Sequence, residues 1–256
     1  MNDKCNVVDS VSIMAKQSHD INCLQTLVSN ITACQYIEIK NLNTLLERSL
    51  IDTSSFNPSL IAITVSVNYH ETLQIALKRN HNNFKVWYIV TDVADTTTFE
   101  ICKQYTNVVV LFFNFKSNNA VFNKGGAVRM AQQFVHKLHK NDYILILDSD
   151  IILPSDFQDV IYDLTPLHSD ILYGCRRLVF KTIQDFNLNL KVPIAVEPVC
   201  IGFFQLYKTH QLYENSIDCS ECDMHFIQKF KGVIVIPNTL VAHLGETGVN
   251  WQGRKT

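Results

Sequence analysis

Between Pro58 and Leu147 short β-rich runs alternate with helical patterns, and no other feature of the chain restricts its fold as much. Leu60 to Val67 is β-rich, Glu71 to Arg79 has helical spacing, Lys85 to Thr91 reads as a strand and Thr97 to Tyr105 as a helix. Val108 to Phe113, Ala127 to Leu138 and Tyr143 to Leu147 continue the series as strand, helix and strand. Helices between successive strands impose right-handed crossovers, which lay the strands parallel and cover both faces of the sheet. The expected class is therefore α/β, with a mostly parallel sheet flanked by helices. Beyond Pro154 the pattern is less regular: Ile171 to Gly174, Pro198 to Tyr207 and Val233 to Ile236 look strand-like, and Ser220 to Phe230 looks helical.

A chain of 256 residues accommodates one domain of about 200 residues plus an appendage. The breaker cluster Asp52 to Pro58 is the best boundary, so residues 1–57 are expected to form a small, mainly helical extension and residues 58–256 the main domain. With 47% hydrophobic and 18% charged residues the chain has enough apolar surface for a substantial core. A net charge of −2 gives no electrostatic reason to bind nucleic acid or an anionic membrane surface. No apolar run approaches the roughly 18 residues of a membrane span, and the first ten residues lack a signal-peptide core, so the expected location is cytoplasmic. Cys102, Cys175 and Cys200 have the apolar neighbours of buried thiols, whereas Cys5, Cys23 and Cys34 include no CxxC pair to support a zinc site.

Ile144 to Leu147 is apolar without alternation, as in a central strand buried on both faces, and Asp148-Ser149-Asp150 follows it directly. Ligands of open α/β sheets bind beyond the carboxyl ends of the strands. Two carboxylates at i and i+2 of an extended backbone point to the same side, where a divalent cation would relieve their repulsion and bind a diphosphate. The same triplet can also cap a turn or helix. Asn123-Lys124-Gly125-Gly126 precedes an amphipathic helix; the glycines permit close approach of backbone amides to an anion, and Lys124 adds a charge. An ordinary glycine turn is the alternative.

The run NKGGA ahead of a helix, followed by LILDSDIILP, resembles the GT-A glycosyltransferases, in particular the inverting family 2 group. The likeness covers about residues 60 to 254. Thr64 to Tyr69, including Val67 and Asn68, resembles the first strand and nucleotide loop, and Val90-Thr91-Asp92 the second strand with its base-contacting acid, although Asp92 also suits a turn. The resemblance implies that Asn123, Lys124 and Gly125 contact the nucleotide or donor sugar. It further implies that Asp150 binds the metal directly, while Asp148, with Ser149, meets the ribose or reaches the metal through water. His243 resembles the late histidine that completes such a site, and imidazole beside carboxylates favours Mn2+ over Mg2+.

Ser220 to Phe226 looks like the acidic motif that carries the catalytic base. Asp223 is the candidate, Glu221 its rival and Asp218 a third choice; Ser220 and Asp223 also have capping-box spacing. Gly202 and Gln205 resemble the segment between donor and acceptor sites. Gly245, Gly248 and Gly253 suit a flexible flap over residues 245–256, in which Trp251 covers the donor and Arg254 and Lys255 neutralise the diphosphate. The expected activity is transfer of a hexose-type unit from a nucleotide diphosphate sugar, UDP-linked, to a glycan, lipid-linked or other hydroxyl acceptor. The rivals are a sugar-1-phosphate nucleotidyltransferase and a noncatalytic sugar-nucleotide or glycan-binding module.

Overall fold

The computed structural model describes residues 59–195, 202–208, 210–215 and 219–245. The extension 1–57, Cys200 and the proposed flap residues Trp251 and Arg254 lie outside them. Strand β1 (Leu60–Val65), helix α1 (His70–Asn80), β2 (Val86–Thr91), α2 (Thr96–Cys102), β3 (Val108–Phe112), α3 (Lys124–Leu138) and β4 (Tyr143–Leu147) follow in the expected order. Then come β5 (Ile151–Ile152), α4 (Phe157–Leu164), β6 (Ile171–Phe180), α5 (Ile183–Asn187), β7 (Phe204–Tyr207), α6 (Cys219–Ile227) and β8 (Gly232–Leu244).

The strands form one eight-stranded sheet in the order β3-β2-β1-β4-β7-β6-β8-β5. From β3 through β4 every neighbour is parallel, as the crossover argument requires. Beyond β4 the sheet is mixed: β7 runs antiparallel to both β4 and β6, β6 and β8 are parallel, and β5 is antiparallel to β8. Two of the strand-like stretches expected after Pro154 are short readings of longer elements, since β6 spans Ile171–Phe180 and β8 spans Gly232–Leu244; of the third, Pro198 to Tyr207, β7 occupies only Phe204–Tyr207, and residues 198–201 lie outside the described residues. Interior polar residues such as Arg177 and Asn238, together with a bulge between Gly174 and Arg176, break the apolar pattern that would have marked the full length of β6 and β8.

Leu60 and Ala62 of β1 and Trp87 and Ile89 of β2 join Leu73, Ala76 and Leu77 of α1 in the main hydrophobic cluster. The alternate residues Ile61, Ile63, Val86 and Val90 are fully buried facing the other way, and α3 packs on β1 and β2. A central strand enclosed on both faces cannot move without opening two layers of packing. Thr64 ties it down further: the Trp87 indole N–H donates to its hydroxyl at 2.9 Å, and that hydroxyl donates to Leu147 O at 2.6 Å. The carboxyl ends of β1 and β4 thereby become a fixed platform. They flank the point where the order 3-2-1 reverses to 4, where an open sheet leaves a crevice for a ligand.

Candidate active site

Asp148-Ser149-Asp150 is a turn between β4 and β5, with Ile151 N donating to Asp148 O at 3.3 Å. The extended backbone expected to aim both carboxylates alike is therefore replaced by a bend, and the two acids take different partners. Asp148 Oδ1 accepts from Lys124 Nζ at 3.2 Å. Asp150 Oδ2 lies 3.4 Å from His243 Nε2, because β5 pairs with β8 in a register that sets Ile151 opposite His243 and lets Leu244 N donate to Asp150 O. The two acids still act on each other: burial first, and then the charge of Asp148, raises the Asp150 pKa to about 7. Ser149 is buried between them.

Lys124 is the first residue of α3. Asn123 caps the helix by accepting from Gly126 N at 2.8 Å, and its amide donates to Asn215 Oδ1 at 2.9 Å. A Cβ on Gly126 would meet Asn215 Oδ1 at 2.5 Å and the Asn123 amide at 2.8 Å, so a glycine here makes the cap possible. The Lys124 ammonium reaches Asp148 Oδ1 and, at 3.3 Å, Asp223 Oδ2. Burial alone would lower its pKa, but the two carboxylates outweigh burial and raise it well above the ordinary lysine value. The group is a protonated ammonium balanced by two carboxylates, and the helix amino terminus beside it suits an anion.

Asp223 is the fifth residue of α6 and turns inward, whereas Glu221 is exposed. Its side chain bonds to Lys124 and to Tyr213, whose hydroxyl donates to Asp223 Oδ1 at 2.8 Å. Gly202 is explained by the same group, since a Cβ there would stand 2.0 Å from Asp223 Oδ2. Gln205 is fully buried with its Oε1 in hydrogen-bond contact with the Tyr213 hydroxyl.

Val67 and Asn68 lie in the loop that follows β1. Asn68 adopts a left-handed φ of 60°, which asparagine tolerates better than most residues. Its N–H donates to Asp95 Oδ2 at 2.7 Å. Buried Asp95 also accepts from Thr91 Oγ1 and caps α2 by accepting from Thr98 N at 3.1 Å. Asp92 accepts from Ala94 N at 2.9 Å, which is the turn role weighed for it. Gly125 is buried in the first turn of α3.

Three residues that sequence reasoning passed over belong to this site. Asp95 has the spacing of a helix cap before Thr98, a signal that was present and unread. Tyr213 carries no motif. Arg177, on β6, is buried with its guanidinium 4.5 Å from the centre of the Phe203 ring, and Phe203 O accepts from Asp148 N at 3.1 Å. Burial, followed by the charge of Arg177, lowers the His243 pKa to about 4, so its imidazole is neutral at pH 7.

The donors present suit a hard divalent cation at Asp150 and His243. Asp150 Oδ1 and His243 Nδ1 are buried without hydrogen-bond partners, and a buried carboxylate beside a neutral imidazole is a donor set such an ion satisfies. No group of three or more His, Cys, Asp or Glu side chains is arranged to hold a metal among the described residues. Asp148 stands nearby but is engaged by Lys124.

The eight-stranded sheet of the described residues, flanked by helices and parallel from β3 through β4, has the fold of solved glycosyltransferases of GT-A type. Among solved structures, S. aureus TarS residues 1–349 in complex with UDP-GlcNAc is similar at a TM-score of 0.56 and 13% identity, over 77% of this chain and 62% of that one. S. aureus TarS 1–349 without a named ligand is similar at 0.52 and 13%, over 73% and 60%. The chain thus matches about three fifths of the length of those proteins, and at this identity the likeness is one of fold. No protein-family model and no curated protein sequence matches the chain.

Proposed function

We propose that this chain transfers a sugar from a nucleotide diphosphate sugar, UDP-linked, to a hydroxyl acceptor on a glycan, a lipid-linked saccharide or a similar molecule. The observation that carries this reading is the Lys124 ammonium held between Asp148 and Asp223 at the mouth of the sheet. It sets a helix amino terminus and a carboxylate able to take a proton about one ammonium. The fold shared with a UDP-GlcNAc complex supports the choice of donor.

In this reading the loop at Val67 and Asn68, with Asp92, receives the base and ribose, while Asn123, Lys124 and Gly125 present the positive end of α3 to the diphosphate. Asp150 and His243, with Asp148 beside them, would hold a manganese or magnesium ion, which when bound stabilises the charge that builds on the leaving diphosphate. Asp223 takes the acceptor proton while the hydroxyl oxygen forms its bond to the anomeric carbon. The bond to the diphosphate breaks on the opposite face, its electron pair departs with the diphosphate, and the configuration inverts. Glu221, exposed on the outer side of α6, is the less suitable base. Trp251 is assigned to cover the donor, and Arg254 to neutralise the diphosphate. Buried reduced thiols at Cys102, Cys175 and Cys222 suit the cytoplasm, and no helix among the described residues is long and apolar enough to cross a membrane.

A thermal-shift panel of nucleotide sugars with and without manganese tests the assignment, since a ligand that binds the native state raises its Tm. UDP-sugars with manganese are expected to give the largest rise, and Asp150→Ala to abolish manganese-dependent UDP release while leaving the fold intact. Wild-type turnover in Asp150→Ala overturns the metal assignment. Pyrophosphate release from a nucleoside triphosphate and a sugar phosphate would instead identify a nucleotidyltransferase, and tight UDP binding without turnover a binding module.

A further inference from the structure

We propose that Tyr213 is a positioning residue that fixes the carboxylate of Asp223 for proton transfer; the inference rests on the assignment of Asp223 as the base. Tyr213 lies outside any regular element, in the stretch 210–215, yet it is completely buried. Its backbone is fastened to α3 at both ends: Tyr213 N donates to Gln132 Oε1 at 2.7 Å, and Tyr213 O accepts from Arg129 Nη1 at 2.8 Å. Gln132 also donates to the Tyr207 hydroxyl at 2.6 Å and to Gln211 O at 3.3 Å. The ring stacks on Phe226, three residues after Asp223 on α6, with centroids 4.4 Å apart. A segment without secondary structure is thus fastened to α3 through both peptide groups of Tyr213, and the hydroxyl meets Asp223.

The phenol lies within hydrogen-bond distance of both Asp223 Oδ1 and Gln205 Oε1 and has one proton to give. A carboxylate is the stronger acceptor, so that proton belongs to Asp223. Burial, reinforced by the charge of Asp223, raises the tyrosine pKa well above its ordinary value, so the phenol remains a donor and does not compete as a base. Both oxygens of Asp223 are thereby fixed: Oδ1 accepts from Tyr213, and Oδ2 accepts from Lys124 at 3.3 Å and packs on the backbone of Gly202.

Tyr213→Phe keeps the ring and its stacking and removes only the hydroxyl. The assay is UDP release from UDP-GlcNAc with manganese and water as acceptor. Tyr213→Phe is expected to lower kcat about tenfold at unchanged KM, and Tyr213→Phe/Asp223→Asn to be no slower than Asp223→Asn alone, because residues acting as a unit are not additive. A wild-type kcat in Tyr213→Phe, or losses that multiply in the double variant, would overturn the positioning role while leaving the base assignment standing. Full activity in Asp223→Asn would remove the base assignment and this inference with it, as would absence of UDP release by the wild type. Should Tyr213→Phe fail to fold, Gln132→Met loosens the same segment without removing the hydroxyl. It is expected to lower kcat at constant KM, and an unchanged kcat would count against the proposal.

Discussion

The strands β1, β2 and β4 and the strands β6, β7 and β8 belong to one sheet but bury different chemistry. In the first group Ile61, Ile63, Val86, Ile89, Leu145 and Ile146 fill both faces, and the buried polar residues are two threonines with partners: Thr64, which ties β1 to β4, and Thr91, which donates to Asp95. In the second group Arg177, Gln205 and His243 are buried inside strands, and the Tyr213 hydroxyl lies between Gln205 and Asp223. Apolar burial is favourable wherever it occurs, whereas each buried polar group must find a partner or cost free energy. The first half therefore supplies rigidity. The second half spends some of that stability to hold charges at fixed positions, which is what a reaction involving charged phosphates requires.

Substitutions that separate stability from chemistry test this contrast, and Asp223→Asn carries the largest expected effect. It should lower kcat about 10²- to 10⁴-fold, the range for loss of a general base, without lowering Tm; a fall in Tm with kcat preserved would make the second half a structural region. Ile63→Ala should do the reverse, lowering unfolding free energy by about 2–5 kcal/mol in a denaturant titration while donor KM stays constant.

Arg177→Lys sharpens the distinction. It keeps the charge and loses the planar stack on Phe203, and should weaken UDP binding about tenfold by calorimetry, or ~1.4 kcal/mol, with a smaller effect on Tm. The smallest effect is expected at the opposite end of the sheet, where Asp142 accepts from Ser59 N and lies 3.3 Å from His139 Nδ1 and 3.6 Å from Lys85 Nζ. Burial would raise the Asp142 pKa, but the bond to His139 and the charge of Lys85 outweigh it and hold the value below 3.8. A depressed carboxylate pKa contributes stability above its unfolded-state value and loses it as pH falls through the folded-state value. Asp142→Asn should cost about 1 kcal/mol at pH 7, with the difference from wild type closing below the ordinary carboxylate range and UDP affinity unaffected.

Element boundaries from β1 to β4 were legible because their apolar runs are uninterrupted and bounded by turn residues. The Tyr143 to Leu147 strand agrees at both ends. The second half hid its elements for the same reason that it suits chemistry: Arg177, Asn238 and the bulge before Arg176 break the periodicity that announces a strand. At the site, the sequence singled out Asp148, Lys124 and Asp223, which the fold brings to one ammonium, and Asp150 and His243, which the β5–β8 register makes neighbours. It missed Arg177 and Tyr213, whose partners are distant along the chain, and Asp95, whose cap on Thr98 is local but whose bond to Asn68 is not.

By itself the sequence determined where apolar segments recur and where acids, glycines and a lysine interrupt them, because local periodicity and turn chemistry act within a few residues. Only the tertiary structure decided which oxygen of which acid meets which cation. Lys124 and Asp223 are 99 residues apart, and Tyr213 reaches Asp223 because Gln132 and Arg129 of α3 hold its backbone. Such contacts depend on the closure of long loops and on strand register, which no short stretch of sequence encodes.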